Sequence, residues 1–590
     1  MDSYNWNLSL LSKKVGSKDF KEEKEEICAK VDEFIEKWKE KDFLSNENIL
    51  KKALDDYESL MADPGTSGKM GYFYFLKRSL NQSDSELQAK LKKIEEFSKR
   101  QENRLRFFTY RISKADGKKQ KKFLNSKKLS KYKNFIKKLF RVGEYTLSEK
   151  EEKILFLKSG PAYSNWVDMV NRFLSEEIRK VLTPEGEKEK SFSEIVSLMN
   201  NKNKSIRDSA AKAFNDILEK NSEVAEAELN SVLENKKIDD NLKGFKRPDM
   251  NRIISDDIEK ETVDILINAV SENFSVAKDY YRLKADLFGV KKLKYHERNV
   301  PYGNLSVNYP FNDAKKLIRK VLGRLDKEFL TLFDKFLDGR IDLHPKKGKK
   351  GGAFCTHNLI TQPVYILMNY TGKLEDVLTL IHETGHGINN ELMGKEQNSL
   401  NFGVSTFTAE VASTFFEDFI IEEIKKEVSA DLKLAVLMNK LNRDVSTIYR
   451  QIAAVNFERE LHKGFRTRGY LSKEEIGKLF KAHMKSYMGD YVEQSEGSEN
   501  WWVYWSHIRK FFYNYSYAGG LLISKSLQKK VKEDPTYIEE VKTFLRAGTS
   551  EPPKEIFKRM GLNIQSEDFW NRGLNETKKL LKEVRRLSEK

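Results

Sequence analysis

The stretch His382-Glu383-Thr384-Gly385-His386 constrains this chain more than any other, because its two histidines meet only if the segment is helical. Imidazoles four positions apart lie on one face of an α-helix, one turn above each other. The flanks agree: Leu374, Val377, Leu378, Leu380, Ile381 and Ile388 follow a helical period, and no proline interrupts 374–393. A helix over that range is therefore expected. On it both Nε2 atoms reach one divalent metal, and Glu383 can aim its carboxylate at a water beside that metal. The plainer alternative is an amphipathic helix carrying two partly buried, hydrogen-bonded histidines. With only 8 histidines in 590 residues, chance pairing at this spacing is uncommon.

A tetrahedral catalytic metal needs a third protein ligand and one open position. Thr406 to Ser413 opens a second helical pattern that runs to about Lys426, and Glu410 lies in its first turn, 24 positions after His386. A carboxylate there completes a His₂Glu set, one used for peptide hydrolysis. The alternative is a glutamate favoured at a helix start by the dipole. Glu417, two turns on, is placed either to orient a ligand histidine or simply to face solvent.

With these residues in hand, the chain resembles the oligoendopeptidase F family, within the thimet-oligopeptidase-like zinc peptidases. The resemblance is carried by HETGHGIN (382–389), TAEVASTFFEDF (408–419), the lead-in Pro363 to Tyr370, and His507 followed by Phe512 to Ala518. Weaker echoes lie at Tyr280 to Lys284 with Gly289, and at Phe569-Trp570. The likeness spans about residues 110 to 580. Asn389 stands where relatives often carry another histidine, and Phe511 where they often carry proline; neither is a metal ligand.

The resemblance implies a mainly α, two-lobed, largely helical zinc peptidase with a deep substrate channel and a small β-sheet beside the active site. It implies one Zn²⁺ per chain on His382, His386 and Glu410, with Glu383 as general base. It implies a strand edge from Gly351, Gly352, Ala353 and Phe354 to Thr356 that pairs with the substrate backbone; without the family, Gly351-Gly352 reads equally well as a flexible loop. His507, Tyr513 and Tyr517 are implied to contact substrate and stabilise the oxyanion. Tyr513 and Tyr517, four apart, are expected on one helical face, with Tyr515 pointing elsewhere. Trp501, Trp502, Tyr504, Trp505, Phe511 and Phe512 crowd the same stretch and read as core. The implied activity is hydrolysis of internal bonds in short peptides by a glutamate-activated, zinc-bound water. Two other readings stay open: a zinc carboxypeptidase of the angiotensin-converting-enzyme-like type, and a basic helical binding protein with a vestigial site.

At this length one core is not expected, so two lobes are. Few prolines (11) and the spacings Val31-Phe34-Ile35-Trp38 and Leu87-Leu91-Ile94-Phe97 favour helices. The turn cluster Thr183 to Glu187 suggests an N-terminal helical lobe over 1–185 and a catalytic region over 186–590. Met1-Asp2-Ser3-Tyr4 lacks a signal-like n-region, no apolar run reaches membrane-spanning length, and Cys28 and Cys355 are too few for a disulfide framework. Cytoplasmic residence is the expectation. Cys355 reads as a buried bystander or as a redox-sensitive thiol near the site. The net charge of +17 concentrates in 118–141, which reads as a solvated lysine-rich surface, against a nucleic-acid or membrane face. Partners are thus short peptides, with no specific nucleic acid and no membrane; oligomeric state is open.

Overall fold

The expected helical periods appear where the sequence puts them. In the computed structural model, which describes residues 4–11, 17–305 and 307–589, Val31, Phe34 and Trp38 are buried on the helix Ser17–Trp38, while Ile94 and Phe97 are buried on Ser85–Ser113. Ile35, Leu87 and Leu91 pack on the flanks of those cores. Among the described residues the chain builds twenty-five α-helices and only seven short strands, so the mainly α class holds.

Two compact units form, each from discontinuous stretches. The first comprises Met1–Glu144, Ser306–Lys426 and Leu527–Leu562; the second comprises Tyr145–Leu305, Glu427–Ser526 and Asn563–Lys590. Position 185 does not divide them. The Thr183 to Glu187 cluster is the turn of a hairpin inside the second unit, pairing Ile178–Thr183 with Gly186–Ser191, and Gly186 supplies the left-handed residue it needs (φ +98°).

In the first unit, a three-stranded sheet has the order Ile341–Asp342, Tyr365–Leu367, Phe354–Thr356. The central strand pairs parallel with the first and antiparallel with the last, which leaves Phe354–Thr356 as an edge. Tyr365 and Leu367 anchor the sheet in a core with Trp6, Met70, Tyr72, Phe73 and Leu76. The basic segment is amphipathic structure: Phe123, Leu129, Tyr132, Ile136 and Phe140 are buried, and Lys128 and Lys131 pair with Glu47 and Glu58. Among the described residues no helix is long and apolar enough to cross a membrane.

In the second unit, Ala430–Val445 runs through a π-turn at Ser446–Arg450 into Gln451–Arg468, which packs on Lys473–Met488. Glu567–Ser588 returns against Lys260–Glu272 and Ala430–Val445.

Candidate active site

The motif helix spans Leu374–Glu396 and buries Val377, Leu380, Ile381 and Ile388, the residues whose spacing predicts it. The second helix spans Ala409–Glu427, with Glu410 in its first turn. The two backbones approach closely at Gly385. A Cβ there would lie 2.8 Å from both the Ala412 carbonyl oxygen and the Ser413 Cα. The absence of a side chain at 385 is what lets Glu410 reach the histidines.

The donor atoms converge. Glu410 Oε2 lies 3.4 Å from His382 Nε2 and 3.6 Å from His386 Nε2, and the three ligand atoms all fall within 4.8 Å of one another. These separations are too long for good hydrogen bonds. They suit a shared cation: ligands about 2.0–2.1 Å from a tetrahedral Zn²⁺ stand roughly 3.4 Å apart. His382 Nδ1 lies 2.6 Å from Glu417 Oε1. A carboxylate only accepts, so Nδ1 carries the proton and the Nε2 lone pair faces the cluster. Ser413, fully buried, donates to Glu410 Oε2 at 2.9 Å and orients that carboxylate. The donor set, its tautomer and its spacing therefore fit zinc.

Charge states agree with that use. Burial pulls the His386 pKa down to about 4, so its imidazole is neutral. At His382 burial acts in the same direction and is the largest single cause, but the Glu417 hydrogen bond and the charges of Glu417, Glu410 and Glu383 together outweigh it, so the net shift is upward. Glu383 is only 8% exposed, and burial pushes its carboxyl up to about 7, against the pull of His382 and of the Cys355 backbone N–H. A carboxyl poised near neutrality can both take and return a proton.

The edge strand beside Glu383 starts at Phe354. Gly351, Gly352 and Ala353 lie outside it, in a bend where Gly352 has φ +74°. The strand is thus three residues long where six, Gly351 to Thr356, are expected, because the left-handed glycine breaks the extended run. The Cys355 side chain is held near Asn390 Nδ2 (3.9 Å), and burial raises its thiol pKa well above normal, which makes it a protonated bystander. Asn389 donates to the Leu545 carbonyl at 2.7 Å, tying the motif helix to Ile538–Ala547.

His507, Tyr513 and Tyr517 gather in the second unit. His507 Nε2 is 3.2 Å from the Tyr517 hydroxyl, its ring stacks on Tyr513 at 5.8 Å, and the two tyrosine rings lie 5.3 Å apart. They do not share a helical face. The helix begins at Tyr515, after Phe511 and Phe512 adopt left-handed φ of +47° and +57°, so Tyr513 arrives from a loop. A proline at 511 could not adopt that φ. Tyr515 does point elsewhere, donating to buried Asp256 at 2.6 Å. The turn Ser506–Lys510 is pinned by Arg509, which grips Glu228 (2.7 Å) and the Trp502 carbonyl (2.6 Å). Burial, reinforced by Lys510 and Arg450, keeps the His507 pKa low, so the ring is neutral.

Sequence reading missed Ser413, the Cys355 N–H and the role of Gly385. Ser413 was findable, since it sits one turn after Glu410; the other two are backbone facts with no side-chain signature.

Residues 197–576 match the profile of Peptidase family M3, and residues 111–184 that of Oligopeptidase F. The plasmid oligoendopeptidase F of Lactococcus lactis subsp. cremoris is 24% identical over 473 residues, covering 78% of each chain. An oligoendopeptidase F homolog of Borreliella burgdorferi is 24% identical over 551 residues, 92% of each. Among solved structures, one from Chlamydophila abortus superposes with a TM-score of 0.86 at 21% identity, covering 99% of this chain and 98% of that one. Oligoendopeptidase-F from Enterococcus faecium gives 0.73 at 17% identity, with 98% and 100% covered. Two glutamate-linked histidines, a converging third carboxylate and a profile match over most of the chain lead to one conclusion: this protein belongs to peptidase family M3.

Proposed function

We propose that the chain is a zinc-dependent oligoendopeptidase that cuts internal bonds of short peptides in the cytoplasm. The convergence of His382 Nε2, His386 Nε2 and Glu410 Oε2 at separations matching a tetrahedral cation, with Glu383 alongside, carries this reading. Zn²⁺ on these three residues would supply Lewis acidity and would lower the pKa of a water toward about 7. Glu383 then takes a proton from the attacking water and returns it to the leaving amine. The edge of Phe354–Thr356, where the Cys355 N–H meets Glu383 and the Thr356 carbonyl accepts the Tyr72 hydroxyl at 2.7 Å, offers its other backbone groups to an extended substrate, with Gly351, Gly352 and Ala353 as its approach. His507 and the Tyr513 and Tyr517 hydroxyls serve as donors to the tetrahedral oxyanion; the neutral His507 ring and its contacts with both tyrosines support that role. The reduced thiols Cys28 and Cys355 support a reducing compartment.

The test is mass spectrometry of products from peptides of graded length, with wild type beside Glu383→Gln. The reading expects internal cuts in short peptides and a loss of about 10²–10⁴ in turnover in the variant, with zinc retained. Stepwise loss from the C-terminus would move the enzyme to the carboxypeptidases. Full activity in Glu383→Gln would remove the general-base assignment.

A further inference from the structure

Next to His507 the second unit encloses a cavity of about 360 Å³ whose lining includes Tyr295, Arg298, Arg450, Trp501, Trp505 and His507. Its two guanidinium groups are unlike most buried cations of this unit; only Lys284, fully buried and donating to the Arg298 carbonyl at 2.6 Å, shares with them the lack of a carboxylate among the described residues. Arg509, Arg207, Lys236 and Lys525 each meet a carboxylate, on Glu228, Glu297, Asp240 and Asp444. Arg298 and Arg450 meet none among the described residues. Glu297, adjacent to Arg298 in sequence, is held by Arg207 and Lys204 instead. Arg298 donates to the Tyr295 carbonyl (2.8 Å), and its buried Nε has no partner. Arg450 has a single long hydrogen bond, to Ser446 Oγ at 3.4 Å.

Both guanidinium groups lie over aromatic faces: Arg298 is 4.2 Å from the Tyr295 centroid and 4.4 Å from Trp501, and Arg450 is 4.6 Å from Trp505. A stacked guanidinium keeps its N–H donors in the ring-parallel plane, open to a planar acceptor. Burial and the charge of Arg298 both lower the Arg450 pKa, yet an arginine does not lose its proton in a protein. Two neighbouring positive charges, buried on Arg298 and partly buried on Arg450, therefore stay without a paired carboxylate, an arrangement that costs free energy until an anion arrives. The backbone gives an independent sign. Arg450 closes the π-turn Ser446–Arg450, and such turns, which re-aim the following side chains, are frequent at functional sites.

We propose that this cavity takes a carboxylate of the bound peptide between Arg298 and Arg450, making these two the specificity-determining residues of the enzyme. The carboxylate belongs either to an Asp or Glu side chain or to the peptide C-terminus. That the ligand is a peptide rests on the peptidase reading above; that it is an anion does not. The cavity volume suits one residue rather than an extended segment, and the aromatic walls accept the methylene groups that precede the carboxylate.

The experiment uses zinc-loaded enzyme and peptides differing only in Glu against Gln at one position, or in a free against an amidated C-terminus. It reads kcat/KM, and separately binding to Glu383→Gln enzyme by tryptophan fluorescence, since Trp501 and Trp505 line the cavity. Wild type is expected to prefer one carboxylate form by about tenfold or more, and the preference should collapse toward one in Arg450→Gln. Loss on Glu→Gln assigns the side chain; loss on amidation assigns the terminus. Equal handling of carboxylate and amide by wild type overturns the proposal, whatever the variant does. Preference that persists in folded Arg450→Gln also overturns it. Carboxylate-selective binding without cleavage supports the cavity and overturns the peptidase reading, while cleavage without selectivity overturns the cavity alone.

Discussion

Gly385→Ala sets two effects of known size against each other. In an isolated helix the change is favourable by about 1 kcal/mol, because alanine loses less backbone entropy than glycine. Here the new Cβ would sit 2.8 Å from the Ala412 carbonyl oxygen and 2.8 Å from the Ser413 Cα. Those atoms are backbone of the neighbouring helix and cannot rotate away. Relief to ordinary contact requires the helices to part by about 0.5–1 Å, and overpacking of this kind costs about 1–3 kcal/mol. Sterics therefore offset or exceed the propensity gain, leaving net destabilisation of about 0–2 kcal/mol. The site suffers more than the fold. Glu410 Oε2 stands 3.4 and 3.6 Å from the two imidazole nitrogens, and ligation tolerates deviations of only about 0.2 Å. Zinc affinity should fall at least about tenfold. Competition with a chromogenic chelator measures the affinity, and urea unfolding of the metal-free protein measures the stability. A variant more stable by about 1 kcal/mol with wild-type zinc affinity would refute the close-approach argument.

Four further outcomes are expected. Glu417→Ala should weaken zinc binding about 10–100-fold by freeing His382 to rotate and change tautomer, and Ser413→Ala should do so by about tenfold through Glu410; the same competition assay checks both. Glu458 is fully buried, accepts the Phe512 N–H at 2.6 Å, and is pushed up by burial to about 8 from 4.5. Because the folded state holds this proton longer than the unfolded one, stability is fully present below about pH 4.5 and is lost as pH rises to about 8, by up to about 1.4 kcal/mol per unit. Urea midpoints against pH should thus fall less steeply for Glu458→Gln than for wild type. Arg509→Met should destabilise by about 3–5 kcal/mol, read by urea unfolding, since it strands Glu228 as an unpaired buried charge.

How far the sequence reaches depends on whether a feature lives in one helix or between elements. The two helices and the histidine pair are legible because spacing along one helix fixes direction: His382 and His386 share a face by period alone. Glu410 required the resemblance or a guess about a second helix, and Glu417 became a hydrogen-bond partner only when the two helices were brought together at Gly385. Tyr513 illustrates the limit. Its four-residue spacing from Tyr517 suggested a shared helical face, and the rings do meet, but through a left-handed Phe511-Phe512 loop that no local propensity announces. The hairpin at 178–191 misled for a related reason, since Thr-Pro-Glu-Gly marks a turn without saying whether it separates units or closes two strands. The discontinuous units follow from long-range packing that a linear boundary cannot express. Arg450 stayed invisible because its meaning lies in the missing carboxylate and in a π-turn, neither of which has a sequence signature.

The most direct test of the central claim is the rate of cleavage of one internally quenched short peptide while metal-free enzyme is titrated with Zn²⁺. Hydrolysis should be absent at the start, rise linearly, and break at one Zn²⁺ per chain, as a single His382–His386–Glu410 site requires. Full activity before any zinc is added, or a rise that ignores the one-to-one point, would contradict it.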